Sequence, residues 1–93
     1  MNITVLGAGM VGSAIARDLA RESAFRVTAV DRDHEALGRL SRLAPVATVH
    51  ADLSDGAAVT AAVSPADLVV CAVPGFLGFQ TLKAILQAGK NVV

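Results

Sequence analysis

The chain has 93 residues, 54% of them hydrophobic and 17% charged, and a mass of 9.5 kDa, which fits one small domain and excludes a disordered tail. Eight basic residues balance eight acidic ones, so the electrostatic footprint of a nucleic-acid binder is missing, and with no basic cluster or apolar run of about 18 residues neither membrane mode is expected. The single cysteine, Cys71, excludes an internal disulfide and a cysteine-based zinc site. No basic segment followed by an apolar one opens the chain, so a reducing cytoplasm is the expected compartment.

Short β-branched runs alternate with longer amphipathic stretches. Ile3–Leu6 reads as a buried strand that closes on the turn Gly7-Ala8-Gly9. Met10 to about Glu22 reads as a helix, with Val11, Ile15 and Leu19 at helical spacing. Arg26–Val30 is a second strand ending at Asp31, and Asp33 is placed to cap a helix running to about Leu43, with Leu37, Leu40 and Leu43 as its apolar stripe. Pro45 stops that helix, and Val46–His50 reads as a third strand. Ser54 or Asp55 caps a short helix through Val63, and Ser64-Pro65 breaks it. Asp67–Val73 is the most apolar strand. Pro74-Gly75 reads as a turn, Phe76–Ala88 as a fourth helix stopped at Gly89, and Asn91-Val92-Val93 as the start of a fifth strand.

Strand–helix alternation at this period predicts an α/β fold, a doubly wound parallel sheet (Rossmann) of about five strands. A full fold of this kind usually has six strands. The sequence ends inside the fifth, so the chain reads as a dinucleotide-binding domain, residues 1–93, truncated from a longer protein.

Gly7-Ala8-Gly9-Met10-Val11-Gly12 is a G-x-G-x-x-G. Such glycines recur by chance, but here a strand precedes them, a helix follows, and an acid ends the next strand. The first glycine allows the tight turn, the second lets a pyrophosphate approach, and the third lets helix and strand pack closely. The helix N-terminus adds unpaired N–H groups and partial positive charge. Asp31 lies 24 residues after Gly7, near the offset of about 20 for a ribose-binding acid. It favours NAD, whereas the adjacent Arg32 could hold the extra phosphate of NADP; Asp31 could also simply cap a strand end. Asp52 either meets the adenine edge or caps a helix. Ala72-Val73-Pro74 ends the fourth strand beside the crevice, where small side chains leave room for a ribose. Cys71 reads as a structural thiol, and His34 and His50 lack any triad-like neighbour.

Together these segments resemble the N-terminal NAD(P)-binding domain of the saccharopine dehydrogenase family, which includes lysine 6-dehydrogenase-like enzymes. The resemblance rests on Val5–Gly12, Val30–Asp33, Ala51–Asp55, and above all on Asp67–Pro74 with Ala88–Val93. It implies that Gly7, Ala8, Gly9, Met10, Val11 and Gly12 wrap the pyrophosphate. It further implies that Asp31 and Arg32 hold the adenosine ribose, Asp52 and Leu53 the adenine, and Ala72, Val73 and Pro74 the nicotinamide-side ribose. The amino-acid substrate, with a C–N bond to be oxidised or formed, would sit on a domain absent from this sequence. No catalytic residue is placed in the chain, which would bind cofactor without turnover.

A second reading is a regulatory nucleotide-sensing domain of the potassium channel and transporter type. Such domains share the glycine loop and both acids, but carry a polar acidic run where this chain has Cys71–Phe76. Were Val93 the natural end, the stripe Phe76, Phe79, Leu82 and Leu86 and the open edge of the last strand would suit a homodimer.

Overall fold

The computed structural model describes residues 1–73, 81 and 83–93. In chain order the elements are β1 (Asn2–Leu6), α1 (Met10–Leu19), β2 (Arg26–Asp31), α2 (His34–Leu43), β3 (Ala47–His50), α3 (Gly56–Val63), β4 (Leu68–Cys71) and β5 (Asn91–Val92), with residues 83–87 also helical. The five strands form one sheet in the order β3-β2-β1-β4-β5, and every pairing is parallel.

Alternation along the strands divides the core into two layers. Ile3 and Val5 of β1 and Val27 and Ala29 of β2 face α1 and α2, where they pack with Ala16, Leu37 and Leu40. Leu6, Val30 and Val69 face the other way, against Val59 and Val63 of α3 and Ala84 and Ile85. Burial of a side chain such as Leu6 or Ile85 contributes roughly 1.5–3 kcal/mol. Helices on both faces bury β1 and β2 on both sides, whereas β3 is an edge strand with all four residues exposed. Both doubly wound halves of the expectation are met.

Several boundaries differ from those the sequence predicts. Helix α1 stops at Leu19, not Glu22, because the chain tightens into turns: Arg21 N–H donates to Asp18 O and Glu22 N–H to Leu19 O. Glu22, Ser23 and Ala24 are exposed and have no apolar face to hold a further turn. Val11 points outward from the first turn of α1, leaving Gly12 and Ala16 as its buried residues. Leu43 ends α2 beyond the core and is also exposed. Strand β3 begins one residue late, since Val46 N–H turns back to Ala44 O. Strand β4 is shorter than Asp67–Val73; Asp67 instead ties the start of β1, its carboxylate accepting from Asn2 N–H at 2.7 Å. Between the two candidate caps of α3 the structure selects Asp55, whose carboxylate accepts from Ala57 N–H. Gly89 carries the left-handed φ, 73°, that a helix stop requires. The Pro74-Gly75 turn, the start of the fourth helix and the stripe residues Phe76, Phe79 and Leu82 lie outside the described residues. Leu86, the last of that stripe, is exposed, and the helical segment turns Ala84 and Ile85 to the core instead.

Candidate functional site

In a doubly wound sheet the crevice opens outside the carboxyl ends of the strands, where the order reverses. Here that point lies between β1 and β4. Gly7 leaves β1 with φ 101°, and a Cβ there would meet the Ala72 carbonyl oxygen at 2.8 Å. Gly12 faces the same constraint, because its Cβ would collide with the Gly7 carbonyl. These two glycines bring α1 against β1. Gly9 is different: a Cβ there would meet nothing within 4 Å. It faces open space rather than a packed neighbour.

Gly9 is also the N-cap of α1, which has no side-chain cap and no acidic residue in its first turn. Helix α2, by contrast, is capped by Asp33, whose carboxylate accepts from Glu35 and Ala36 N–H. The first turn of α1 therefore keeps the donors and positive dipole end that an anion neutralises. Met10 and Val11 lie in this turn with exposed side chains.

The ends of β2 and β3 supply the polar side. One oxygen of Asp31 (Oδ2) accepts from Ala8 N–H at 2.7 Å, and the other (Oδ1) accepts from Asp33 N–H at 3.0 Å. Asp31 thus ties the glycine loop to the turn that follows β2. Arg32 is exposed beside it and, among the described residues, makes no ion pair. Asp52 accepts at one oxygen from both the Ser54 hydroxyl (2.6 Å) and the Ser54 N–H (2.9 Å). The Ser54 hydroxyl, then its N–H, and the positive charge of Arg32 hold the Asp52 carboxyl below its ordinary value, against a small opposing effect of desolvation. Leu53 is buried, and its carbonyl accepts from the buried Thr81 hydroxyl at 3.1 Å.

A cleft of about 240 Å³ joins the ends of four of the five strands: Gly7 and Gly9 after β1, Asp31 and Arg32 at β2, Asp52, Leu53 and Ser54 after β3, and Ala72 and Val73 after β4. It collects eight of the residues singled out in the sequence. Ala8 lies beneath it, bonded to Asp31, while Met10, Val11 and Gly12 form the adjoining first turn of α1. Pro74 lies outside the described residues. Ser54 joins the site in a role its sequence position hid, as the partner of Asp52 rather than a helix cap; the Asp-x-Ser spacing of an Asx turn was the available signal. A larger depression, about 410 Å³, lies between Arg17 of α1 with Arg21 just beyond that helix, and Leu43, the last residue of α2, with Pro45 after it. It sits at the C-terminal ends of α1 and α2, away from the residues that follow the strands. Cys71 is half-buried, and no group of three metal-ligating side chains occurs among the described residues. None of the helices described is long and apolar enough to cross a membrane.

A parallel sheet whose strand order reverses between β1 and β4, a glycine loop opening a helix, and an acid ending β2 define the dinucleotide-binding class of dehydrogenase domains. The match can be made narrower. The model of the saccharopine dehydrogenase NADP binding domain covers residues 3–93, and the chain belongs to that family. NADP is the second of the two cofactor forms that Asp31 and Arg32 left open. Among solved structures, saccharopine dehydrogenase (L-Glu forming) from Saccharomyces cerevisiae superposes with a TM-score of 0.87 at 21% identity, over 98% of this chain and 20% of that one. The chain thus spans about a fifth of that protein's length. A short-chain dehydrogenase/reductase (wide type) from Veillonella parvula in complex with NADP gives 0.73 at 20% identity, covering 98% of this chain and 45% of that one. Pen from Bacillus thuringiensis gives 0.79 at 16% identity, over 96% and 34%. At these identities the superpositions establish the fold. No curated protein matches the chain. The family falls with the dehydrogenase reading, and nothing in these matches favours the channel-sensor alternative.

Proposed function

We propose that this chain is the NADP-binding part of an oxidoreductase acting on a C–N bond of an amino acid, with substrate and proton-transfer groups supplied by a domain outside residues 1–93. The observation that carries the reading is the open space over Gly9 at the uncapped end of α1, in a cleft that joins four strand ends. The family and the far greater length of the yeast saccharopine dehydrogenase support the rest.

In this reading Gly7, Gly9 and the first-turn backbone of Met10, Val11 and Gly12 receive the pyrophosphate. Ala8 does not donate to it, because its N–H is taken by Asp31. Asp31 has lone pairs left for a ribose hydroxyl, and Arg32 meets the 2′-phosphate with a planar fork of donors. Asp52 and Leu53 border the adenine, and Ala72 and Val73, with Pro74, the nicotinamide-side ribose. The bound nicotinamide supplies the hydride chemistry, while the protein's part is to bind and orient it. No residue of the chain is assigned to proton transfer, so the chain alone binds without turnover. The reading includes a reducing cytoplasm and leaves a homodimer to be tested by its mass in solution.

Calorimetric titration with NADP and NAD tests the assignment. Both bind saturably, NADP more tightly, and Arg32→Ala removes roughly tenfold of that difference, the scale of one charge-assisted hydrogen bond. A folded chain that binds neither form overturns the reading.

A further inference from the structure

Two histidines that play no part in the cofactor contacts above lie face to face beside Arg32. The rings of His34 and His50 are stacked, with centroids 3.7 Å apart and planes within 9°. His34 is the first residue of α2, and His50 the last of β3, where register sets it opposite Asp31. Both are exposed. The Nε2 atom of His50 lies 2.8 Å from the Arg32 carbonyl oxygen. A carbonyl can only accept, so Nε2 carries the proton and donates.

The backbone around Arg32 is thereby fixed at three successive residues. Ala51 N–H donates to Asp31 O at 3.0 Å, His50 donates to Arg32 O, and Asp33 N–H donates to Asp31 Oδ1. The guanidinium itself sits on a long stem whose rotamers are restricted on gripping a ligand. Anchoring its main chain shortens the distance it must search, and only the end of the ligand that Arg32 meets gains from this. The glycine loop has its own anchor, Asp31 to Ala8.

We propose that the His34–His50 stack is a positioning device for Arg32 that sets the discrimination between the 2′-phosphorylated dinucleotide and its unphosphorylated form. This rests on the cofactor reading given above. His50 touches Arg32 through its backbone, His34 meets Arg32 only by way of the His50 ring, and the glycine loop is held separately by Asp31, so loss of the His50 bond changes one affinity and spares the other.

The test is calorimetric titration of this chain with NADP and NAD for four proteins: the parent, Arg32→Ala, His50→Leu and His50→Gln. His50→Leu lowers the NADP-over-NAD preference about three- to tenfold, the worth of one hydrogen bond, and leaves NAD affinity within about twofold. His50→Gln places an amide N–H near Nε2 and restores most of the preference. Parallel loss of both affinities in His50→Leu overturns the proposal, because it marks a merely structural role, and so does an unchanged preference. Arg32→Ala separates the two levels. If it leaves the preference unchanged, the cofactor reading has failed; if it removes the preference and His50→Leu does not, only the positioning role has. Thermal unfolding of each variant by circular dichroism confirms that the exposed substitutions leave the fold intact.

Discussion

Three glycines within six residues do three separable jobs, and substitution can tell them apart. A side chain at Gly7 suffers both a φ of 101° and a carbonyl oxygen at 2.8 Å. Gly7→Ala therefore destabilises the domain by about 2–3 kcal/mol, the cost of a strained backbone position with a clash. Gly9 has φ −70° and open space before it. Gly9→Val costs no more than about 1 kcal/mol, the difference between a tolerated and a poor N-cap residue, yet its side chain fills the open space that the proposed reading gives to the pyrophosphate. Urea unfolding with parallel titration checks this: Gly7→Ala shifts the midpoint strongly, while Gly9→Val shifts it far less and loses dinucleotide binding. Equal binding by Gly9→Val and the parent would remove the anion site from α1. The motif separates these jobs in the sequence, the second glycine for the ligand and the third for packing, but the neighbours that crowd Gly7 and Gly12 come from Ala72 and Val73 after β4 and from the loop itself, which the motif does not name.

At the scale of elements, local signals were readable wherever a side chain acts on its own segment. Asp33 caps α2 as its position suggests, its Oδ1 accepting from Glu35 N–H at 3.0 Å and Ala36 N–H at 3.3 Å. Asp33→Ala removes both bonds and the favourable charge at the helix start, and lowers unfolding free energy by about 1 kcal/mol, measured by urea denaturation. A loss below about 0.3 kcal/mol would mean water replaces the carboxylate without cost. Element ends were legible less well. Helical spacing carried α1 on to Glu22, but the helix ends at Leu19 and residues 21–24 are exposed. Apolar content carried β4 out to Val73, but sheet pairing ends at Cys71. Long-range partners were not legible at all. The bond from Ala8 to Asp31 and the stack of His34 on His50 depend on the β1–β2 and β2–β3 registers, which no local pattern announces. Ser54 is a different case: its bond to Asp52 is local and the Asp-x-Ser spacing announces it, but the same residue also fits a helix cap.

In the proposed reading the whole molecule serves binding rather than turnover. The glycine loop, Asp31, Arg32, Asp52, Leu53 and Ser54 all border the part of the cleft formed by β1, β2 and β3; only Ala72 and Val73 border it from β4. In the proposed reading the first group meets the phosphoadenosine end of the cofactor, which makes that end the source of affinity for this chain. A fragment of the ligand, 2′,5′-ADP, should then have a dissociation constant close to that of NADP and stabilise the fold almost as well at equal concentration. A ligand at 100 times that constant adds about 2.7 kcal/mol, since only the folded chain brings four strand ends together. Nicotinamide mononucleotide, lacking the adenosine half, should leave the urea midpoint unmoved at equal concentration. The three ligands are compared in one denaturation series. Stabilisation by nicotinamide mononucleotide with none from 2′,5′-ADP would place the affinity at the β4 side and reverse the orientation assigned to the bound dinucleotide.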